Sequence, residues 1–279
     1  MAVTQNAPPQ TGKTALEDDA FIHYQHYQHD SKELCVILVH SLAQDYRFWR
    51  WVAPAIASKV PVICVDLRGH GRSAKSAGPY AMSLFADDIK KVMRDLGYKK
   101  AIMAGTSLGG CVALQFSIDH PQLTAALALI DTTAWYGHTA PDDWEKRAQK
   151  ARSEGFASMV PFQTTRWFSE QFRVDHPERV QQCVETFLAN DVDAYIETCR
   201  AMGAFNASAE LPKIRVPAAI VVGAEDYAAP VEMSQIMHDA IPDSTLTIIP
   251  AARHLTPVET PDVITETLGK LLKKASMNQ

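Results

Sequence analysis

The chain has 279 residues, 47% hydrophobic and 21% charged, a balance that excludes a disordered chain, a collagen-like repeat or a coiled coil. Lys and Arg number 27 against 32 Asp and Glu, a formal charge of −5. The basic residues are scattered, so charge supplies no footprint for a nucleic-acid partner.

Residues 1–13 are polar, carry Pro8-Pro9 and have no apolar leader core, which predicts a flexible N-terminal arm. No stretch reaches the ~18 consecutive apolar residues of a membrane helix, so no membrane partner is expected. Five cysteines (Cys35, Cys64, Cys111, Cys183 and Cys199) are an odd number and none makes a CxxC pair. A disulfide framework and a structural zinc site are therefore not expected. The default setting is cytoplasmic and reducing. Composition is silent on oligomeric state.

Past Phe21 the pattern turns strand-like. Apolar runs rich in β-branched residues occupy 34–39, 60–65, 101–104, 125–130, 218–222 and 245–249. Such runs suit parallel strands buried on both faces. Helical periodicity lies between them at 83–96, with Ser83 as candidate N-cap, at 108–118, and at 261–274. Alternating strands and helices predict an α/β fold: a mostly parallel sheet flanked by helices. The alternation breaks over 134–211, which is aromatic and charged with no convincing strand. That stretch is expected to be a helical cap over a pocket, because it leaves from a strand's carboxyl end, where α/β ligand sites lie. The core is then 14–133 and 212–279.

Gly105-Thr106-Ser107-Leu108-Gly109 follows a strand run and opens a helix, the context of a G-x-S-x-G nucleophile turn. A serine hydroxyl needs a base, and His254, past the last strand run, is the candidate. Asp226, past the preceding run, is the preferred acid to orient it. Its rivals are the adjacent Glu225 and Asp131, which ends the 125–130 run. The order Ser107, Asp226, His254 suits one edge of a parallel sheet. Backbone amides of Leu108, after the nucleophile, and Leu42, in the loop after Val39-His40, are the candidate oxyanion donors.

Three features point elsewhere. His23, His26 and His29 invite a metal reading, but strand geometry sends alternate residues to opposite faces, so a solvated strand or hairpin is expected. Gly69-His70-Gly71-Arg72-Ser73 lacks a P-loop lysine and dinucleotide spacing, which leaves a tight loop. Cys111 lies one helical turn past Ser107 and is expected to point into the fold.

Val39-His40, the 66–73 segment Asp-Leu-Arg-Gly-His-Gly-Arg-Ser, Gly105 to Gly110, Gly223 to Asp226, and His254 with Val258-Glu259 resemble the α/β-hydrolase superfamily over most of the chain. Within it, Ser41-Leu42, Gly78-Pro79-Tyr80, Trp144 with Arg147, Arg166-Trp167-Phe168 and Tyr195 with Cys199-Arg200-Ala201 are similar to the 3-oxoadipate enol-lactonases. The chain departs from that pattern at Ala43, where glycine is usual, at Leu108, where methionine is usual, and at Arg253 before the histidine. The resemblance implies a hydrolase that opens a small acidic enol-lactone of aromatic catabolism through an acyl-enzyme, with no cofactor. The alternatives are a carboxylesterase or C–C bond hydrolase on another small intermediate, a cofactor-free dioxygenase, or a ligand receptor. Trp135, Trp144, Trp167 and Phe168 are candidate pocket walls. Arg47, Arg147 and Arg166 are candidates to hold a substrate carboxylate.

Overall fold

The computed structural model describes residues 8–17 and 19–277. Two strands open the chain, β1 (Gln10–Ala15) and β2 (Phe21–Tyr27). Then come β3 (Leu34–Val39), β4 (Val62–Val65), β5 (Lys100–Thr106), β6 (Thr124–Ile130), β7 (Ala218–Gly223) and β8 (Ser244–Ile249). The helices are α1 (Ala53–Ala57), α2 (Met82–Asp95), α3 (Leu108–Asp119), α4 (Ala140–Trp167), α5 (Glu170–Asp175), α6 (Pro177–Leu188), α7 (Val192–Ala204), α8 (Val231–Ala240), α9 (Thr256–Glu259) and α10 (Pro261–Met277).

The strands make one eight-stranded sheet in the order β1-β2-β4-β3-β5-β6-β7-β8. β1 and β2 are antiparallel, as are β2 and β4, and every pairing from β4 to β8 is parallel. β3, β4 and β7 are buried at every position, so helices cover both faces. α3 packs on β5 and β6 and against α2, while α10 packs on β6 and β7 and against α1.

Two local expectations are corrected. Residues 10–13 are not an arm: they belong to β1, paired with Lys13 opposite His23 and Gln10 opposite His26. Only Thr14 of that strand is buried, so the backbone ladder rather than an apolar pattern holds it. Residues 1–7 of the expected arm lie outside the described residues. Ser83 is not an N-cap. α2 starts at Met82 behind an extended Ala81 that makes no side-chain cap bond.

The triple-histidine strand is not solvated either. His23 pairs its Nδ1 with Asp66 Oδ2 at 2.8 Å, and His26 Nε2 meets the Tyr98 hydroxyl at 2.8 Å, both buried. His29, past the strand end, meets the Ala57 carbonyl. Burial pushes His26 down to about 4. Asp66 also accepts the amides of Tyr46 and Arg72. The 69–73 loop therefore wraps a buried carboxylate.

Between β6 and β7 the chain forms α4 to α7, with α4 packed along α7. A bridge between Trp135 and Asn206, and the Ala207 amide bonded to the Ala134 carbonyl at 2.8 Å, close the neck of this excursion. Gly155 breaks α4 at φ 75°, ψ 163°, a conformation that L side chains rarely adopt. The break redirects residues 156–167.

The glycines make separable predictions. Gly97 sits at φ 79° with open space around its Cβ position, so Gly97→Ala costs about 1–2 kcal/mol of backbone strain alone. A Cβ on Gly109 runs into the Val39 and His40 carbonyls. Gly109→Ala therefore costs about 3 kcal/mol or more, because backbone must shift. Urea unfolding measures both; equal shifts in midpoint would contradict this account.

Candidate active site

Ser107 sits between the end of β5 and the first residue of α3, at φ 56°, ψ −116°. Its amide bonds the Ile130 carbonyl at 2.9 Å, and its carbonyl accepts from Thr132 Oγ1 at 2.7 Å. A turn this tight requires chains to pass closely. A Cβ on Gly105 would strike the Gly109 carbonyl, and one on Gly109 the Val39 carbonyl. Leu108 heads α3, where an N–H lacks an intrahelical acceptor and the helix dipole favours negative charge.

The loops after β7 and β8 are stitched together. The Ala224 amide bonds Ile249 O at 2.8 Å and the Glu225 amide bonds Ala252 O at 2.9 Å. Asp226 and His254 thereby become neighbours. His254 Nδ1 lies 2.8 Å from Asp226 Oδ2, and His254 Nε2 lies 2.9 Å from Ser107 Oγ. With Nδ1–H donating to the carboxylate, Nε2 is left to accept the serine proton. Asp226 Oδ1 accepts from the Ala228 and Ala229 amides at 2.7 and 3.0 Å, which fixes the carboxylate's position and leaves Oδ2 for the imidazole.

The rival acids go elsewhere. Glu225 points outward to Arg253. Asp131 Oδ2 accepts from the Thr256 amide at 2.9 Å and hydroxyl at 2.7 Å, while Oδ1 takes the Gly223 amide at 3.3 Å. Complete burial, and secondarily the Asp226 charge, push the Asp131 carboxyl well above the usual range. Cys111 is buried, with Sγ 3.5 Å from both Thr132 Oγ1 and the Thr133 carbonyl. Burial pushes its thiol up to about 11. That places Cys111 inside the fold as expected, away from nucleophilic chemistry.

The loop after β3 is held by His40, whose Nδ1–H donates to Ser41 O at 2.8 Å while Nε2 accepts the Leu67 amide. Ala43 follows at φ 58°, which explains why glycine is usual there. Leu42 lines the cleft above Ser107 with Ser41.

The cleft above Ser107 is narrow, with an interior volume of about 20 Å³. Trp144, Arg147, Arg166 and Trp167 line it as read from the sequence. Trp135 and Phe168 do not. Trp135 is spent on the neck bridge and on an edge-on contact with His138. Phe168 is fully buried and stacks on Phe172, 5.1 Å between centroids. Arg47 is outside the cleft, paired with Asp45 at 2.7 Å. Sequence reasoning missed Tyr136, Gln163 and Ala228 as lining residues. Gln163 stands three and four residues before Arg166 and Trp167, a helical spacing that could have signalled it.

The cleft is cationic. Arg147 donates Nε–H to the Tyr195 hydroxyl at 2.7 Å and lies over Trp144. Neither Arg147 nor Arg166 has a carboxylate in salt-bridge range among the described residues. Burial, then the Arg147 charge, press Arg166 down to about 10, still protonated at neutral pH. The Tyr136 hydroxyl lies 4.0 Å from Cys111 Sγ, its side chain lines the same cleft as Ser107, and burial keeps it a phenol. Among the described residues no His, Cys, Asp and Glu cluster could hold a metal ion, and no helix is long and apolar enough to cross a membrane.

Known proteins agree with this architecture. The 3-oxoadipate enol-lactonase 2 of Acinetobacter baylyi is 27% identical over 239 residues, 86% of this chain and 88% of that protein. The crystal structure of the enol-lactonase from Burkholderia xenovorans superposes with a TM-score of 0.89 at 27% identity, covering 94% of this chain and all of the other. A thermophilic esterase from Thermogutta terrifontis, solved with malate bound, gives 0.87 at 27% identity over 96% of this chain and 99% of that one. Residues 35–261 match the family model described as the alpha/beta hydrolase fold, and the chain is a hydrolase belonging to that family.

Proposed function

We propose that the protein is a serine hydrolase that opens a small carboxylic ester or lactone bearing a free carboxylate. An acidic enol-lactone of aromatic catabolism is the preferred substrate class. The observation that carries the chemistry is the continuous hydrogen-bond chain from Asp226 through His254 to Ser107 Oγ. The charge reading rests on Arg147 and Arg166, which face the same cleft with no carboxylate partner of their own among the described residues. The likeness to the enol-lactonases named above supports the lactone. The equal identity to the Thermogutta esterase supports a carboxylesterase as the second reading. Five buried, unpaired cysteines fit a reducing, cytoplasmic setting.

In the proposed reaction, Ser107 Oγ attacks the carbonyl carbon while His254 Nε2 takes its proton. Asp226 holds the imidazole tautomer and stabilises the imidazolium. The amides of Leu42 and Leu108 take the tetrahedral oxyanion. The ring C–O bond breaks, the leaving oxygen takes the proton from His254, and an acyl-Ser107 ester remains. A water deprotonated by His254 attacks that ester, releases the acid and restores Ser107.

Ser107→Ala is expected to lower kcat by on the order of 10⁶-fold, and Asp226→Asn by about 10⁴-fold through the wrong imidazole tautomer. Steady-state turnover of an acidic enol-lactone and of aryl esters measures both. Full activity in Ser107→Ala would sink the nucleophile assignment. Arg166→Ala is expected to raise KM for an anionic ester at least about tenfold relative to its neutral analogue, the loss of one charge-assisted hydrogen bond. An unchanged anionic-to-neutral ratio would remove Arg166 from the carboxylate subsite.

A further inference from the structure

Among the described residues that line the cleft, Gln163 is the one with a buried side-chain polar atom that lacks a hydrogen-bond partner. The residue is 2% exposed, and its buried Oε1 has no hydrogen-bond partner. It lies on the stretch of α4 redirected by Gly155, one turn before Arg166 and Trp167, and lines the same cleft as Ser107 and His254. A buried carboxamide oxygen without a partner is costly, so it is expected to be satisfied by what occupies the cleft. The orientation of the amide follows from charge. Arg147 and Arg166 fill the cleft with positive potential, which favours the carbonyl end of Gln163 turned inward and the NH₂ end away. The two guanidiniums of the cleft can only donate, and the hydroxyls of Ser41, Ser107 and Tyr136 can do either. Gln163 brings a carboxamide acceptor to them.

We infer that Gln163 is a specificity-determining residue, and that the substrate carries, besides its carboxylate and its scissile ester or lactone, a separate hydrogen-bond donor, a hydroxyl or an N–H, held by Gln163 Oε1. The carboxylate goes to the guanidiniums and the donor to the amide. A site built to bond a substrate hydroxyl discriminates strongly against the analogue that lacks it, because its own polar group is then left unpaired. This inference rests on the cleft being the hydrolytic site. Binding and turnover are therefore read separately.

The test uses the full chain and two probe sets. p-Nitrophenyl monoesters of glutarate, 2-hydroxyglutarate and 3-hydroxyglutarate report kcat/KM. The free diacids, with 3-methoxyglutarate added as an acceptor that cannot donate, report binding by calorimetry to Ser107→Ala. At least one hydroxylated probe is expected to exceed glutarate about tenfold or more in both measurements, with 3-methoxyglutarate binding like glutarate. In Gln163→Met that preference collapses towards one. In Gln163→Glu the new carboxylate pairs with the guanidiniums, so KM for all the anionic esters rises at least about tenfold while the hydroxyl preference persists. Thermal unfolding of both variants reports whether they fold. A wild-type ratio near one at both hydroxyl positions overturns the inference, as does a preference that survives Gln163→Met. Tighter binding of 3-methoxyglutarate than glutarate overturns the donor assignment. Hydroxyl-selective binding without Ser107-dependent turnover would keep Gln163 and remove the hydrolytic reading instead.

Discussion

The site depends on a backbone approach so close that no side chain fits within it. Gly109 on α3 lies against the Val39 and His40 carbonyls, and Gly105 against Gly109. Only with both contacts made can β5 turn directly into α3 and leave Ser107 in a backbone conformation that L residues rarely adopt. That turn lifts Ser107 Oγ clear of the sheet edge and puts the first amide of α3 beneath it. It also seats α3 on β5 and β6 and sends Cys111 inward, where Thr132 and Thr133 enclose its thiol. The strain at one residue is thus held by packing that the whole central sheet supplies.

A second constraint sets the partners of that serine. Asp131, at the end of β6, is a buried carboxylate that bonds the amide of Gly223 and both the amide and the hydroxyl of Thr256. Gly223 lies three residues before Asp226, and Thr256 two residues after His254. One side chain therefore ties together the two loops whose meeting makes the Asp226–His254 pair. The neighbouring carboxylates live in different surroundings. Asp226 receives two backbone amides and an imidazole N–H, whereas burial drives Asp131 towards its neutral form. This keeps two negative charges from competing in a small volume.

The helices between β6 and β7 are fastened to the core at both sides of the cleft. Asn190 donates to the Ala43 carbonyl and Gln44 to Cys183 O, joining α6 and its exit to the loop that carries Leu42. On the other side Arg253 reaches the Phe168 carbonyl, Glu259 accepts the amides of Ser169 and Arg253, and the Leu255 amide bonds Trp167 O. The end of α4, which carries Gln163, Arg166 and Trp167, is held against the segment that carries His254. Arg253, a departure from the enol-lactonase pattern, acquires a physical role as a cap on the carbonyls at the end of α4.

The buried strands were legible because a strand covered on both faces reads as a continuous apolar run: 34–39 coincides with β3, and 218–222 lies within β7. β1 was not legible, since its pairing lies in backbone hydrogen bonds that leave no apolar pattern. Ser107, Asp226 and His254 could be nominated from sequence because each follows a strand run, and parallel strands deliver such loops to one edge. Position along the chain could not say which aromatic or cationic residues of 134–211 face the cleft. Trp135 was taken up by the neck and Phe168 by a stack with Phe172, while Tyr136 and Gln163 turned inward. Local periodicity and turn chemistry alone determined the α/β class, the sharp turn at Ser107 and the order of its partners. The lining of the cleft was decided only by tertiary packing, because the direction of a side chain there depends on where Gly155 bends α4 and on how α4 lies along α7.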